Sequence, residues 1–303
     1  MSKVRDLIDR AAAELQGAGI ISARTDAELL LAYALKVDRK SLALIQTVPA
    51  DDFVKFMVLV TKRGKRVPLQ HLTGEAYFRH LTLKVGQGVF IPRPETELLV
   101  QSGLDFLANI DGPKLVVDLC SGSGAIALSI ALESPDTTVH AVELSPESFG
   151  WLEKNVAAYA QQLSRINSSV ITYNDDATNP EVLKNFFGNV DVVLSNPPYI
   201  PDEMIPREPE VRDHDPALAL FGGQDGLDVA RKVAHVAADL LMPGGFFGME
   251  HADVQSQSSV ELLNMMTSHG QPIWVNAIDN NDYNQLPRFV TASRSAFSAS
   301  GAS

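Results

Sequence analysis

A short apolar run at residues 115–119 ends in Asp118-Leu119-Cys120-Ser121-Gly122-Ser123-Gly124, and the chain passes at once into a continuous apolar stretch over residues 125–132. A buried strand, a glycine turn and a buried helix in that order fit few architectures besides a parallel α/β sheet, because such a strand and such a helix need cover on every side. The pattern continues. Strands are predicted at 138–144, 170–173 and 190–195, with a helix over 146–160 whose Pro146 suits a first turn. A helix over 227–241, a strand at 245–250 and strands at 273–278 and 288–291 complete the expectation of a doubly wound, Rossmann-like parallel sheet with helices on both faces. Residues 200–226 are rich in proline and acid and read as one long loop, a length that in compact domains marks function or disorder.

Upstream the periodicity is different. Apolar residues recur at helical spacing over 3–16, 24–37 and 51–64, and the third helix ends in Lys62, Arg63, Lys65 and Arg66, cations that suit a helix C-terminus. Over 70–92 the alternation of Phe78, Leu81, Leu83 and Val85 with polar residues, punctuated by Gly74, Gly86 and Gly88, predicts a β-hairpin linker. Ile91-Pro92-Arg93-Pro94-Glu95-Thr96-Glu97 then opens a helix through 98–107. The expected organisation is a small all-helical domain over 1–69, the linker over 70–92, the α/β domain over 93–292 and a disordered Ser/Ala/Gly tail over 293–303.

A length of 303 residues accommodates two such modules. The lone cysteine, Cys120, excludes an internal disulfide framework and points to a reducing compartment. No apolar run approaches a membrane span, and Lys3, Arg5, Asp6, Asp9 and Arg10 make the N-terminus amphipathic where a secretory leader would be apolar, so a cytoplasmic protein with no membrane partner is expected. The net charge of −12 argues against direct nucleic-acid binding, which needs clustered cations. The charge is uneven: residues 1–70 hold 12 Lys and Arg against 8 Asp and Glu, and the remainder 13 against 29, which suggests modules with different partners. The seven histidines show no metal-ligand spacing, and no metal is expected.

Gly122-x-Gly124-x-x-Ala127 fits a fingerprint in which backbone N–H groups at a helix N-terminus receive a ligand, and Glu143 closes the next strand, placed to accept from ribose hydroxyls. This much indicates an adenosine-containing ligand and leaves a nicotinamide dinucleotide and S-adenosylmethionine both open. The fourth strand discriminates. It runs into Asn196-Pro197-Pro198-Tyr199, beyond the carboxyl end of a strand where α/β sheets bind ligands. Two prolines make a rigid turn lacking two N–H donors. The Asn196 amide oxygen and the Pro197 carbonyl remain as acceptors beside the Tyr199 ring, a cradle for a planar NH2 group.

Asn-Pro-Pro-Tyr in this place resembles the amino-group methyltransferases that use S-adenosylmethionine. The segments Gln70-His71-Leu72-Thr73-Gly74-Glu75, Phe90 to Glu97, Phe221-Gly222-Gly223, Asp225-Gly226-Leu227 and Gly244-Gly245-Phe246 to Glu250-His251 are similar to the HemK family, the peptide-chain release factor glutamine methyltransferases, over residues 3–292. The resemblance implies a class I methyltransferase domain, S-adenosylmethionine as cofactor, and class 1 peptide-chain release factors as protein substrate, methylated on N5 of the glutamine in a Gly-Gly-Gln loop. Carried over by residue, it implies cofactor contacts from Asp118, Cys120, Ser121, Gly122, Ser123, Gly124, Glu143, Asn196 and one of Asp175 and Asp176. It implies Asn196, Pro197 and Tyr199 as catalytic residues, and Phe90, Arg93, Asn196, Pro197, Pro198 and Tyr199 as the substrate site. The chain departs from the pattern at Cys120, where many members have glycine; a side chain there must point away from the cofactor.

An amide nitrogen is a weak nucleophile, and acceptors that gain strength as it becomes positive lower the barrier. His251 beside Glu250 reads as structural rather than as a base. Gly222-Gly223-Gln224 repeats the substrate tripeptide, which reads as a Gln at a variable place of the family loop, between Gly-Gly and Asp-Gly, rather than as a site of automethylation. The cations of 62–66 are expected to dock an acidic face of the substrate. Alternatives are glutamine methylation of a large-subunit ribosomal protein, with the same chemistry, and adenine-N6 methylation of DNA, against which the acidic balance of residues 71–303 speaks. A nicotinamide-dependent oxidoreductase leaves Asn-Pro-Pro-Tyr without a role.

Overall fold

The apolar stripes of the first seventy residues form helices in the computed structural model, which describes residues 2–296. Helix α1 (Val4–Gly17) buries Val4, Leu7, Ile8, Ala11 and Leu15, and α2 (Ala23–Leu35) buries Ala27, Leu30, Leu31 and Ala34. A two-residue strand, β1 (Ser2–Lys3), pairs antiparallel with β2 (Thr47–Val48). Helix α3 (Ala50–Gly64) carries Asp51 and Asp52 in its first turn and Lys62 and Arg63 in its last, both favourable to its dipole. Its Phe56 and Val60 complete the core of this unit. Helix α4 (Leu69–Thr73) follows, so the first residues of the expected hairpin linker are helical; Gly74, at φ +76°, caps it in the left-handed conformation that glycine adopts freely.

The hairpin itself is β3 (Glu75–Phe78) and β4 (Leu81–Lys84), with Ala76, Phe78, Leu81 and Leu83 buried. A 3-10 turn at Pro94–Thr96 leads into α5 (Glu97–Leu107). Then come β5 (Lys114–Leu119), α6 (Ala125–Glu133), β6 (Thr137–Glu143), α7 (Pro146–Arg165), β7 (Ser169–Asn174) and β8 (Val190–Ser195). The stretch expected as one long loop contains α8 (Pro209–His214) and a 3-10 turn at Ala217–Ala219. Helix α9 (Asp228–Leu240), β9 (Leu241–Glu250) and α10 (Ser256–Met265) follow, the last absent from the sequence-based expectation. The small hairpin β10 (Thr267–Ser268) and β11 (Gln271–Pro272) precedes β12 (Trp274–Asn281) and β13 (Pro287–Arg294).

Seven strands form the central sheet in the order β12-β13-β9-β8-β5-β6-β7. The five from β5 to β9 are parallel, as expected; β12 and β13 add an antiparallel edge, so the sheet is mixed. Strand β13 continues to Arg294, with Ser293 paired to Phe246, so the strand enters the stretch expected as a tail. Residues 297–303 lie outside the described ones. The order reverses between β5 and β8, and the carboxyl ends of those two strands are where a doubly wound sheet opens a crevice. No helix among the described residues is long and apolar enough to cross a membrane.

The chain divides into two compact units. One comprises the residues up to Glu75 with Val85–Gln87 and Pro206–Asp215; the other comprises Ala76–Lys84, Gly88–Ile205 and the residues from Pro216 on. Within the helical unit, Arg63 is buried. Its Nε donates to Asp26 (2.7 Å) and one Nη to Glu210 of α8 (2.8 Å), whose other oxygen accepts from Arg66 (2.6 Å). Two of the four cations expected to dock a partner are therefore consumed inside this unit, while Lys62 and Lys65 are exposed. Replacing Arg63 with alanine strands the buried carboxylate of Asp26 and is expected to lower the unfolding free energy by about 3–5 kcal/mol. Urea denaturation of the full chain measures it, and a loss below about 1 kcal/mol, the worth of an exposed pair, would contradict the role assigned.

Candidate active site

The glycine turn after β5 is held by its own backbone. The Ser121 N–H donates to the Val142 carbonyl and its Oγ to the Asp118 carbonyl, both at 2.9 Å. Asp118 is fully buried and accepts from the Ala127 N–H in the first turn of α6 (3.1 Å). Asp118 thus fixes the turn from behind and does not line the cavity, and neither does Gly124, whose φ of +85° makes the N-cap of α6. Burial raises the Asp118 carboxyl from 3.8 to about 7, and the Ala127 N–H opposes the rise.

In front of the turn is a cavity of about 280 Å³, close to the lower end of the range for small-molecule sites. Cys120, Ser121, Gly122 and Ser123 form one wall. Glu143, from the end of β6, forms the next: its Oε2 accepts from the Gly122 N–H and its Oε1 from the Ser145 N–H, both at 2.8 Å. Burial raises its carboxyl, and these N–H groups oppose the rise. Leu144, Asp176, Ala177 and Thr178 continue the lining. Asp175, the neighbouring candidate, is exposed and outside it. Asp176 Oδ1 accepts from both the N–H and the hydroxyl of Thr178 (2.8 Å each).

Cys120 sits at φ +66°, a left-handed conformation that costs a side-chain-bearing residue about 1–2 kcal/mol. Its thiol leans on Ser195 and the apolar core behind the turn, and burial, with Glu143 and Asp118 nearby, keeps it protonated.

The opposite end of the cavity is built by the segment after β8. Parallel pairing sets Leu119 of β5 beside Ser195 of β8, and the Ser195 hydroxyl donates to the Leu119 carbonyl (2.7 Å). Asn196, Pro198 and Tyr199 therefore emerge next to the glycine turn and line the cavity together with Phe90 and Pro92; Pro197 is buried and outside the lining. Arg93 is outside it as well, its guanidinium stacked 4.9 Å over the Phe90 ring.

Two glycines of the family segments, and two residues that the sequence did not single out, Gln255 and Asn155, hold the site's backbone. A Cβ at Gly222 would overlap the Pro198 carbonyl oxygen, and one at Gly226 the Tyr199 carbonyl oxygen. The Ile200 N–H donates to the Leu220 carbonyl (2.8 Å) and the Gly222 N–H to the Ile200 carbonyl (2.9 Å). Gln255 Nε2 donates to the Tyr199 carbonyl (3.0 Å) and its Oε1 accepts from the Ala252 N–H (2.9 Å). In Gly222-Gly223-Gln224, Gly222 thus answers to close backbone packing, and Gly223, at φ +94°, to the Asp228 side chain packed against it. Asn155, fully buried on α7, donates to the Ser123 carbonyl (2.9 Å) and brackets the N–H and carbonyl of Lys84 (2.7 and 3.0 Å), tying the glycine turn to β4.

His251 is buried with both ring nitrogens engaged inside the fold, one at the Ala252 carbonyl (2.8 Å) and one at Asp279 (2.9 Å), and it does not line the cavity. Among the described residues no group of three or more His, Cys, Asp and Glu is arranged to hold a metal ion.

Residues 6–74 match the PrmC N-terminal domain family and residues 96–205 the methyltransferase small domain family. The chain is 44% identical over 288 residues to the release factor glutamine methyltransferase of Streptomyces coelicolor, spanning 94% of this chain and 96% of that one. It is 43% identical over 296 residues to that of Mycolicibacterium smegmatis, spanning 98% and 99%. This chain belongs to the release factor glutamine methyltransferase family. The solved structure of the hMettl16 catalytic domain in complex with MAT2A 3'UTR hairpin 6 shares the fold, with a TM-score of 0.52 at 14% identity over 80% of this chain and 83% of that one. For this family member the α/β unit is a methyltransferase domain, and the cavity at its sheet switch point is the candidate active site.

The buried Asp118 gives a pH test of this geometry. Its carboxyl binds a proton more tightly folded than unfolded, so its contribution to stability is complete below about 3.8 and is lost as pH rises through about 7. Thermal melts of the full chain from acid to neutral pH are expected to show a shallower decline for Asp118→Asn than for the unaltered chain, and parallel declines would contradict the assignment.

Proposed function

We propose that this chain transfers a methyl group from S-adenosylmethionine to the side-chain amide nitrogen of the glutamine in the Gly-Gly-Gln motif of class 1 peptide-chain release factors. The observation that carries the reading is the convergence of Asn196, Pro198 and Tyr199 with the glycine turn and Glu143 on one cavity. Near full-length identity to proteins named for that activity supports it.

The residues present suit the cofactor. A Cβ built at Gly122 meets nothing within 4 Å, so the turn leaves backbone open to a ligand. In the proposed assignment, residues 120–123 hold the methionine portion, Glu143 accepts from the ribose hydroxyls, and Asp176, rather than the exposed Asp175, serves the adenine. S-adenosylmethionine supplies, when bound, an electrophilic methyl group on a sulfonium.

The chain's own work is done on the amide. The Asn196 side-chain oxygen and the Pro197 carbonyl accept from the glutamine NH2, hold it in one orientation and gain strength as the nitrogen becomes positive. Phe90, Pro198 and Tyr199 wall the glutamine and exclude water. Alignment of the two reacting atoms contributes about 7 kcal/mol or more in favourable cases. No side chain is required to remove a proton before transfer, which agrees with the engaged nitrogens of His251.

The test is a methyl-transfer assay with labelled S-adenosylmethionine, offering an intact release factor, the same factor with alanine for the loop glutamine, ribosomal proteins and duplex DNA. Label on the intact factor alone is expected, with kcat reduced about 10²-fold or more by Asn196→Ala in the enzyme. Label on a ribosomal protein or on DNA would replace the substrate proposed here.

A further inference from the structure

Asn196 can offer a substrate amide either its oxygen or its NH2, and only the oxygen can hold the substrate's NH2. What selects the orientation is a buried relay that no part of the reading above uses. Asn196 Nδ2 lies 3.4 Å from Thr96 Oγ1, and Thr96 Oγ1 lies 2.6 Å from Glu250 Oε2. The second oxygen of Glu250 accepts from the Tyr199 hydroxyl at 3.3 Å. Thr96 is 3% exposed and Glu250 1%, so water does not compete for these bonds. The fold creates the arrangement: β8 pairs with β9 so that Ser195 faces Met249, which places Asn196 and Glu250, the next residue of each, side by side. Thr96 reaches them from the turn that opens α5.

We propose that Glu250 and Thr96 are positioning residues that fix the polarity of the Asn196 amide, so that its oxygen faces the glutamine. An ionised Glu250 accepts only, so the Thr96 hydroxyl must point its hydrogen at Glu250. Thr96 then has only lone pairs to offer Asn196, which must turn its NH2 towards them. The oxygen is left for the substrate. A donor in place of the carboxylate reverses each bond in turn: Thr96 would donate to the Asn196 oxygen, and the NH2 would face the substrate NH2, donor against donor. The same carboxylate anchors the Tyr199 hydroxyl, so one buried group sets both side chains of the cradle.

Glu250 is faced by Thr96 and Glu95 from the turn before α5, by Tyr199 from the segment after β8 and by Arg288 from β13, while its neighbour His251 is turned to Asp279. Burial raises its carboxyl to about 7, the hydrogen bonds and Arg288 oppose that rise, and Glu95 adds to it. A proton on the oxygen that faces Thr96 makes this reversal, so activity should fall on the acid side of that value.

This inference rests on the glutamine-methylation reading, and the experiment separates the two. Full-length enzyme is assayed on a release factor, and S-adenosylmethionine binding is measured by calorimetry. Transfer by the unaltered enzyme tests the reading; the variants test the relay. Thr96→Val is expected to lower kcat about 10²-fold, and Glu250→Gln to lower it less, because its amide can still turn its oxygen to Thr96, with cofactor affinity and the KM for the release factor changed by less than about threefold in both. Thr96→Ser, which restores the hydroxyl, should recover most of the loss seen with valine. The acid limb of kcat should be present in the unaltered enzyme and absent in Glu250→Gln. If Glu250→Gln does not fold, the valine and serine pair at Thr96 decides alone. A valine variant that retains kcat, or a serine variant as impaired as valine, would overturn the proposal.

Discussion

The parallel pairing of β5, β8 and β9 is the constraint from which the site follows. Leu119 beside Ser195, and Ser195 beside Met249, bring three strand ends into line at the point where the sheet reverses its order. The glycine turn, the Asn-Pro-Pro-Tyr segment and Glu250 each leave one of those ends. A slip of register would exchange the faces of every side chain and separate Asn196 from both the turn and the carboxylate that orients it.

Around that line the chain spends its unusual residues on support. Gly222 and Gly226 let backbone approach the carbonyls of Pro198 and Tyr199, Gln255 clamps the same stretch, and Asn155 braces the glycine turn against β4. Rigidity of this kind suits a reaction whose catalyst is orientation: an amide nitrogen must be held along one line by acceptors that cannot relax away. The buried carboxylates fit the same logic. Asp118 and Glu250 stand at strand ends and act on backbone or side chains of the site, each at the cost of burial that raises its affinity for a proton.

The parallel core was legible because its signals are local. Apolar runs, the glycine turn and the proline pair each declare themselves within ten residues. What escaped was non-local or locally ambiguous. The cluster at 62–66 read as a docking patch because nothing near it shows that Arg63 and Arg66 meet Glu210. Asn155 is one polar residue on a long amphipathic helix, and only the approach of Lys84 and Ser123 gives it a task. Thr96 and Glu250 each stood inside a recognised motif, yet their bond joins residues far apart in the chain. Helix α10 begins Ser-Gln-Ser-Ser, three serines of low helix propensity in four residues, and its apolar face shows only against β12 and β13. The Asp175 and Asp176 pair was undecidable by pattern, since the carboxylates are adjacent; geometry separates them, with only Asp176 against the cavity.

The central claim is that the Asn196 amide oxygen receives the NH2 of a glutamine while its own NH2 is turned to Thr96. A crystal structure of the full chain with S-adenosylhomocysteine and a release factor tests this most directly. The account predicts the glutamine nitrogen within hydrogen-bonding reach of Asn196 Oδ1 and the Pro197 carbonyl, with Asn196 Nδ2 on the Thr96 hydroxyl. A glutamine nitrogen bound elsewhere in the cavity, or an Asn196 that has left Thr96, would contradict it.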